Sequence, residues 1–239
     1  MKRICFLDVE VSPEKVYVYE RYEASVVGKV ERSILFSIAW KWEGDKEVYC
    51  KSLIDFKIKE PHDDKPLTEF AWKLLDEADV VIAHNGTSFD VKKLNAFFIY
   101  HKLKPPSPFK QVDTLKVARK YFKFFGNSLN DISEFFGIGK KIETEHGLWY
   151  KCLNANKRAY SQMKRYNKHD VRLLVDIYKR MLPYIEIHPP INPTMKKHGT
   201  CNNCGKDKLQ SRGITIVSSG VRSHRYHCQG CGHWSRVKV

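Results

Sequence analysis

Phe-Leu-Asp-Val-Glu-Val-Ser, residues 6–12, closes an apolar run that begins at Ile4. In an extended strand, residues two apart share a face, so Ile4, Phe6, Asp8 and Glu10 form one row and Cys5, Leu7 and Val9 the other. Both rows are apolar until the acids. Such a strand belongs in the middle of a sheet covered on both sides. Two acids on one face where it leaves the core are either hydrated or gathered round a cation. The second arrangement needs more acids from elsewhere in the chain.

Outward from this strand, Lys15–Glu20, Ser33–Trp42 and the stretch EVYCKS read as further strands and suggest an antiparallel start to a sheet. From Pro66 the pattern changes to alternating strands and helices. Leu67, Phe70, Ala71, Leu74, Leu75 and Ala78 follow helical spacing, DVVIAHN is a short buried strand, and a helix from about Phe89 to His101 follows. A strand-like KQV leads to Asp113, placed to cap the helix TLKVARKYF, on which Lys116, Arg119, Lys120 and Lys123 share a face. Asn130-Asp131 precede another short helix ending at Gly137. The following stretch, GIGKKIETEHGLWYKCLNANK, has no period, and loops of that length in a compact domain are often functional. The last long helix runs from about Arg158 to Leu182, with Ala159, Met163, Tyr166, Asp170, Leu173, Leu174, Ile177 and Met181 along one stripe, and Pro183 ends it. The expected organisation is an α/β domain over 1–186, a proline-rich linker over 187–199 and a small unit over 200–239.

With 239 residues, 42% of them apolar, the chain can bury a large core. No apolar run is long enough to span a bilayer, and the N-terminus meets acids before a secretory segment could form, so the cytoplasm, or a host cytoplasm, is the expected location. The net charge is +15, and from Lys196 onward nine Lys or Arg face one acid, a balance that favours polyanions. In that region Cys201-x-x-Cys204 and Cys228-x-x-Cys231 are separated by 23 residues. The pattern predicts one structural Zn²⁺ held by four thiolates in a zinc ribbon, with GITIV, Ser218-Ser219-Gly220 and VRSHRYHC forming a hairpin between the knuckles. His198, His224, His227 and His233 are expected at the surface, since four thiolates complete a tetrahedron. Arg222, Arg225, Arg236 and Lys238, with Tyr226 and Trp234, offer charges for phosphates and rings for bases.

Two further acids stand in suggestive places: Asp90 closes HNGTSFD at a strand-to-helix junction, and Asp170 lies in YNKHDV one turn after Tyr166. A lone D-x-E carries almost no information, whereas this ordered set is specific. With FLDVE, HNGTSFD and YNKHDV as its three motifs, the sequence resembles the DEDD 3′-to-5′ exonucleases of the ribonuclease H-like superfamily. Tyr166, four residues before Asp170, matches the tyrosine subtype; the histidine subtype needs His where Arg165 stands, so His169 is not expected to be a base. The resemblance extends over essentially the whole chain to proofreading domains of family-B DNA polymerases, and to stand-alone phage and prophage nucleases with a C-terminal zinc ribbon. Pro106-Ser107-Pro108, DTLKVARKYF, Gly139-Lys140-Lys141 and Leu148-Trp149 carry it, while Val11 replaces the family's usual threonine.

The resemblance implies a mixed sheet flanked by helices and hydrolysis of phosphodiester bonds at the 3′ ends of single-stranded nucleic acid, DNA ahead of RNA. It further implies two Mg²⁺ or Mn²⁺ ions about 3.5–4 Å apart. Asp8 would bridge both, Glu10 and Asp170 would complete the site that activates water, and Asp90 would hold the second ion. Tyr166, with a reference pKa near ~10, would orient the water rather than act as a base. Asn85 and Phe89 would hold the terminal nucleotide, although a turn Asn and a core Phe fit the same pattern. His84 and His146 receive no role. The partner protein would be a polymerase or a recombination protein. An RNA-processing nuclease, a structure-specific endonuclease on the same scaffold, and a non-catalytic zinc-ribbon DNA-binding protein remain alternatives.

Overall fold

The computed structural model describes residues 3–20, 26–58, 60, 62–145, 147–186, 188, 199–216 and 220–238. Most of the expected linker, together with His146, His198 and Ser218-Ser219 of the expected hairpin, lies outside the described residues.

The opening strand, β1 (Ile4–Val11), lies at the centre of a five-stranded mixed sheet. The strands that follow it are β2 (Lys15–Tyr17), β3 (Gly28–Glu31), β4 (Leu35–Trp42) and β5 (Tyr49–Ser52). Helix α1 (Lys65–Glu77) leads to β6 (Val80–Ala83), α2 (Asp90–Tyr100), β7 (Lys110–Asp113), α3 (Thr114–Tyr121), α4 (Leu129–Phe135), α5 (Leu148–Leu153) and the long α6 (Lys157–Met181). The sheet order is β5-β4-β1-β6-β7, antiparallel on the β4–β5 side of β1 and parallel on the β6–β7 side. The chain therefore builds an α/β mixed sheet flanked by helices.

The two rows of β1 feed two cores. Cys5, Leu7 and Val9 pack with α1, α2 and α5, while Ile4 and Phe6 pack with α3 and α4. Helix α6 serves both: Ala159, Tyr160 and Met163 enter the first core, and Val171 to Met181 the second. Tyr166, Asn167 and Asp170 sit at the crossing between them, beside β1. This arrangement follows from a helix whose apolar stripe is interrupted by polar residues midway.

Several local expectations need correction. Residues 15–20 do not join the main sheet; β2 pairs with β3 in a separate exposed two-stranded ribbon, with Val16 and Tyr17 facing solvent. Asn130 and Asp131 lie inside α4 rather than before it, because Ser128 is the cap and Asp131 completes a capping box with it. The irregular stretch contains the six-residue α5, too short to show a period. Lys123 lies beyond the end of α3, and Pro183 sits within a 3₁₀ turn, Leu182–Tyr184, that continues α6.

The C-terminal unit is a three-stranded antiparallel sheet, β8 (Leu209–Ile216), β9 (Arg222–Cys228) and β10 (Trp234–Lys238), in the order β10-β9-β8. It docks on the end of α6. Asn203 Nδ2 donates to the carbonyls of Leu182 (3.1 Å) and Ile185 (2.6 Å), and His233 Nδ1 donates to Pro183 O at 3.0 Å. These carbonyls follow the helix end, where acceptors lack intrahelical partners. His233 is thus buried in this contact instead of lying at the surface.

Gly86 turns the chain between β6 and α2, and a Cβ there would stand 2.4 Å from the Ala83 Cβ, which cannot swing away. Gly86→Ala should therefore cost about 1–3 kcal/mol, read as a lower urea midpoint, and should displace the turn that carries Asp90.

Candidate metal centre

The site is assembled where the ladders of β1 run out. Parallel pairing with β6 is recorded only from Ile4 to Phe6, and the register with β4 shifts between Glu10 and Val11. Asp8 and Glu10 therefore emerge at an opening in the sheet, and a bulge of this kind re-aims side chains beside functional sites. The Val9 N–H, unpaired on its β6 side, donates to Asp90 Oδ1 at 3.1 Å. That bond fixes the start of α2 against the end of β1.

One residue shapes the turn before Asp90. The Asp113 carboxylate caps α3 through the N–H groups of Leu115 and Lys116, as its position in the sequence suggests. It also accepts from the Asn85 N–H (2.9 Å), the Thr87 N–H (3.1 Å) and the Thr87 hydroxyl (2.6 Å). Asn85 is consequently held at φ 66°. Phe89, the residue before α2, is 39% exposed and free to meet a ligand rather than buried as core. His84 is engaged by the Thr114 hydroxyl and by Asn127 O, and His169 by Lys140 O.

Asp8, Glu10 and Asp170 each offer an oxygen within 4.8 Å of the others. Asp90 is buried outside that triad but close enough to Asp8 for its charge to act on it. Burial, followed by the charges of Asp90, Glu10 and Asp170, holds the Asp8 carboxyl well above the usual carboxylate range. Burial and then Asp170 push Glu10 up to about 7, and burial pushes Asp90 up to about 7. Asp170 is also raised by burial, against the pull of Lys141. The Tyr166 hydroxyl, pushed up to about 12 by burial and by Asp170, stays protonated and can only donate or accept hydrogen bonds.

Three residues that the sequence did not assign complete the surroundings. Lys141 Nζ lies 2.6 Å from Asp170 Oδ2 and donates to the Tyr166 hydroxyl at 3.1 Å. Burial pulls this ammonium down, but Asp170 and Tyr166 outweigh it and hold the pKa above the ordinary lysine value. Trp149 Nε1 donates to Glu10 Oε2 at 3.2 Å, and the fully buried Asn167 amide donates to the Asp8 carboxylate and accepts from the Ser37 hydroxyl. Lys141 and Trp149 lie in the stretch without periodicity; Asn167 is visible only as the residue after Tyr166 in YNKHDV.

Four carboxylates share one ammonium, an imbalance that a divalent cation would relieve. Asp170 Oδ1 is buried and has no hydrogen-bond partner, so one acceptor of the triad is already desolvated. The donors are all hard oxygens, which suit Mg²⁺ or Mn²⁺. At the other end of the chain the four cysteine sulfurs also lie within 4.8 Å of one another, with Sγ separations of 3.7 Å for Cys201–Cys231 and 3.6 Å for Cys204–Cys228. A tetrahedron with arms of about 2.3 Å has edges of about 3.8 Å, so the thiolates fit Zn²⁺, and the separations exclude disulfide bonds. Gly230 N–H donates to Cys228 Sγ.

Two expectations follow from these charges. A carboxyl raised on folding stays protonated in the fold over a range where the unfolded chain has ionised, so the fold in EDTA loses stability as pH rises from about 4 through about 7. Divalent cation offsets that loss, and the gap between melting midpoints with Mg²⁺ and with EDTA should widen from pH 5 to pH 8; a constant gap contradicts this. Lys141→Met strands Asp170, at a cost of roughly 2 kcal/mol in EDTA, below the ~3–5 kcal/mol of a fully buried pair because Lys141 keeps a third of its side chain in water. Added Mg²⁺ should restore most of the lost melting temperature.

Comparison with known proteins agrees with this architecture. The solved family-B DNA polymerase of the hyperthermophilic archaeon Pyrobaculum calidifontis is similar over 77% of this chain, with a TM-score of 0.58 at 17% identity. The chain spans 25% of that polymerase's length, and the likeness is one of fold. No curated protein matches the sequence. Among the described residues, no helix is long and apolar enough to cross a membrane. A family model described as the RNase_H superfamily matches residues 21–182, most of the chain including Asp90 and Asp170, and the chain belongs to the ribonuclease H superfamily.

Proposed function

We propose that this chain is a divalent-metal-dependent 3′-to-5′ exonuclease of the tyrosine DEDD type, acting on single-stranded ends, DNA ahead of RNA. The observation that carries the reading is the triad of Asp8, Glu10 and Asp170 oxygens within 4.8 Å, with Asp170 Oδ1 buried and unbonded beside it. Asp8, Glu10, Asp170 and Asp90 would hold two Mg²⁺ or Mn²⁺ ions. When bound, such ions supply an activated water and stabilise the leaving oxygen of a phosphodiester.

The chain's own residues do the positioning. Tyr166, protonated and tied to Lys141, orients the attacking water by hydrogen bonding. Trp149 and Asn167 fix the rotamers of Glu10 and Asp8. Lys141 places a positive charge where a scissile phosphate would lie against Asp170. Asn85 and the exposed Phe89, on the turn before Asp90, hold the terminal nucleotide, Phe89 through its ring. In this reading residues 1–186 form the nuclease domain, 187–199 a linker and 200–239 a zinc ribbon that aids nucleic-acid binding. A polymerase or recombination protein is the partner it would serve.

The test is a time course on 5′-labelled single-stranded DNA and matching RNA with Mg²⁺, Mn²⁺ or EDTA. A ladder shortening one nucleotide at a time from the 3′ end, present only with divalent cation, is expected. Internal fragments from the first time point would make the protein an endonuclease.

A further inference from the structure

The knuckle contacts hold the C-terminal sheet at a fixed place on the end of α6, and one face of that sheet is built in a way its own folding does not explain. In the β9–β10 register Trp234 lies opposite His227 and Arg236 opposite Arg225, and these two pairs share a face. The rings of Trp234 and His227 are stacked, with centroids 4.7 Å apart at 27°, yet Trp234 remains 53% exposed. Directly opposed arginines repel one another. Neither is joined to a carboxylate among the described residues; Arg225 only donates to Arg212 O. Both guanidiniums and the tryptophan line an open groove of about 610 Å³, bounded by Ser235 and, on the side of the α6 terminus, by Glu186.

An aromatic shelf beside two uncompensated guanidiniums matches a base followed by its phosphates, and a base is free to stack only where the strand is unpaired. We propose that the β9–β10 face is a second subsite for single-stranded nucleic acid, with bases on Trp234 and His227 and phosphates on Arg225 and Arg236. Its placement deepens the exonuclease reading and rests on it: the face receives the strand on the 5′ side of the terminal nucleotide. Eleven residues of α6, about 16 Å at ~1.5 Å per residue, separate Asp170 from Met181, and the groove lies past that end. A trinucleotide seated at the acids stops short of the face, while a twenty-nucleotide strand spans both. Glu186 at the rim disfavours phosphate there and so directs the strand toward the arginine side.

The experiment measures anisotropy of labelled dT20 and U20 in buffer without added Mg²⁺ or Mn²⁺ and without chelator, so that the strand stays intact and the ribbon keeps its zinc, with the full chain and with Trp234→Ala, Trp234→Phe and the double variant Arg225→Ser/Arg236→Ser. Zinc content is determined for each, so that only ribbons with their metal are compared. Trp234→Ala and the double variant should weaken binding of dT20 about tenfold, and Trp234→Phe should retain most of it. The double variant should also lower the slope of log K against log salt by about 1.4, at ~0.7 per phosphate on a single strand. The U20 arm shows whether ribose is accepted as well as deoxyribose. Zinc-loaded variants that bind both strands with wild-type affinity overturn the proposal. Hydrolysis of dT3 with Mg²⁺, run alongside, should be unchanged by the ribbon substitutions. Failure of the wild type to cleave dT3 or dT20 would strike the nuclease reading and leave the binding result standing.

Discussion

Asp8→Asn is expected to reduce divalent-dependent hydrolysis on the order of 10³-fold or more while raising the melting temperature in EDTA. The two effects have one cause. Asp8 sits among Asp90, Glu10 and Asp170, and burial together with those charges opposes its ionisation. Asparagine keeps the shape and can still accept from the Asn167 amide, which now bonds the Asp8 carboxylate. It removes one ionisable carboxyl from a group of four whose nearest compensating cation among the described residues is Lys141. A gain of about 1–2 kcal/mol corresponds to roughly 2–5 °C for a chain of this size. An acid serving as an ordinary cap or ion-pair partner would behave in the opposite way, since its loss lowers stability. Calorimetry of both proteins in EDTA and in Mg²⁺ reads the difference: the variant should melt higher in EDTA and gain less from Mg²⁺.

Cys228→Ser, or chelation of the wild type, should unfold the C-terminal sheet and leave the five-stranded sheet folded. Along β8, six of eight residues are exposed and two partly so, so the unit has little core of its own. A zinc–thiolate site is worth about 10–16 kcal/mol in apparent binding free energy, far more than so small an apolar core supplies. Hydrogen exchange should show β8, β9 and β10 losing protection together while β1, β6 and α6 keep theirs. The end of α6 should register the loss. The Leu182, Pro183 and Ile185 carbonyls exchange the Asn203 and His233 donors for water, so amides in the last turn of α6 should exchange faster while the rest of the helix keeps its protection. Protection of β9 and β10 that survives a strong chelator contradicts this account.

What the sequence disclosed, and what it hid, divides along physical lines. Period and alternation are local, and they located β1 with its two apolar rows, the strand–helix alternation after Pro66, and α6 with Tyr166 and Asp170 on one side. Cysteine spacing is likewise local and predicted a four-sulfur cluster. The hidden features depend on contacts between distant segments. Lys141 reaches Asp170 from a stretch with no period, Trp149 reaches Glu10 from a helix of six residues, and Asn167 links Asp8 to Ser37 across the sheet. Their stretches carry the family resemblance, but nothing in the local sequence says what each side chain would touch. His233 was misplaced for the same reason: with four sulfurs available the imidazole had no metal to bind, and its partner is a carbonyl fifty residues away. The strand predicted at 15–20 forms only over Lys15–Tyr17 and lies outside the main sheet, because alternation reports a strand, not the sheet it joins, and β2 finds β3 instead. Asp90 shows both sides at once. Its motif is legible, but that it bonds Val9 and stands outside the Asp8, Glu10 and Asp170 triad is set by the point at which β1 and β6 part.

The measurement that bears most directly on the central claim is mass-spectrometric quantification of mononucleotides released from single-stranded DNA by the wild type and by Asp8→Asn, with Mg²⁺ and with EDTA. The four-acid site predicts nucleoside monophosphates from the wild type in Mg²⁺ alone, and release reduced about 10³-fold in the variant. Equal release by both proteins, or release that persists in EDTA, would contradict it.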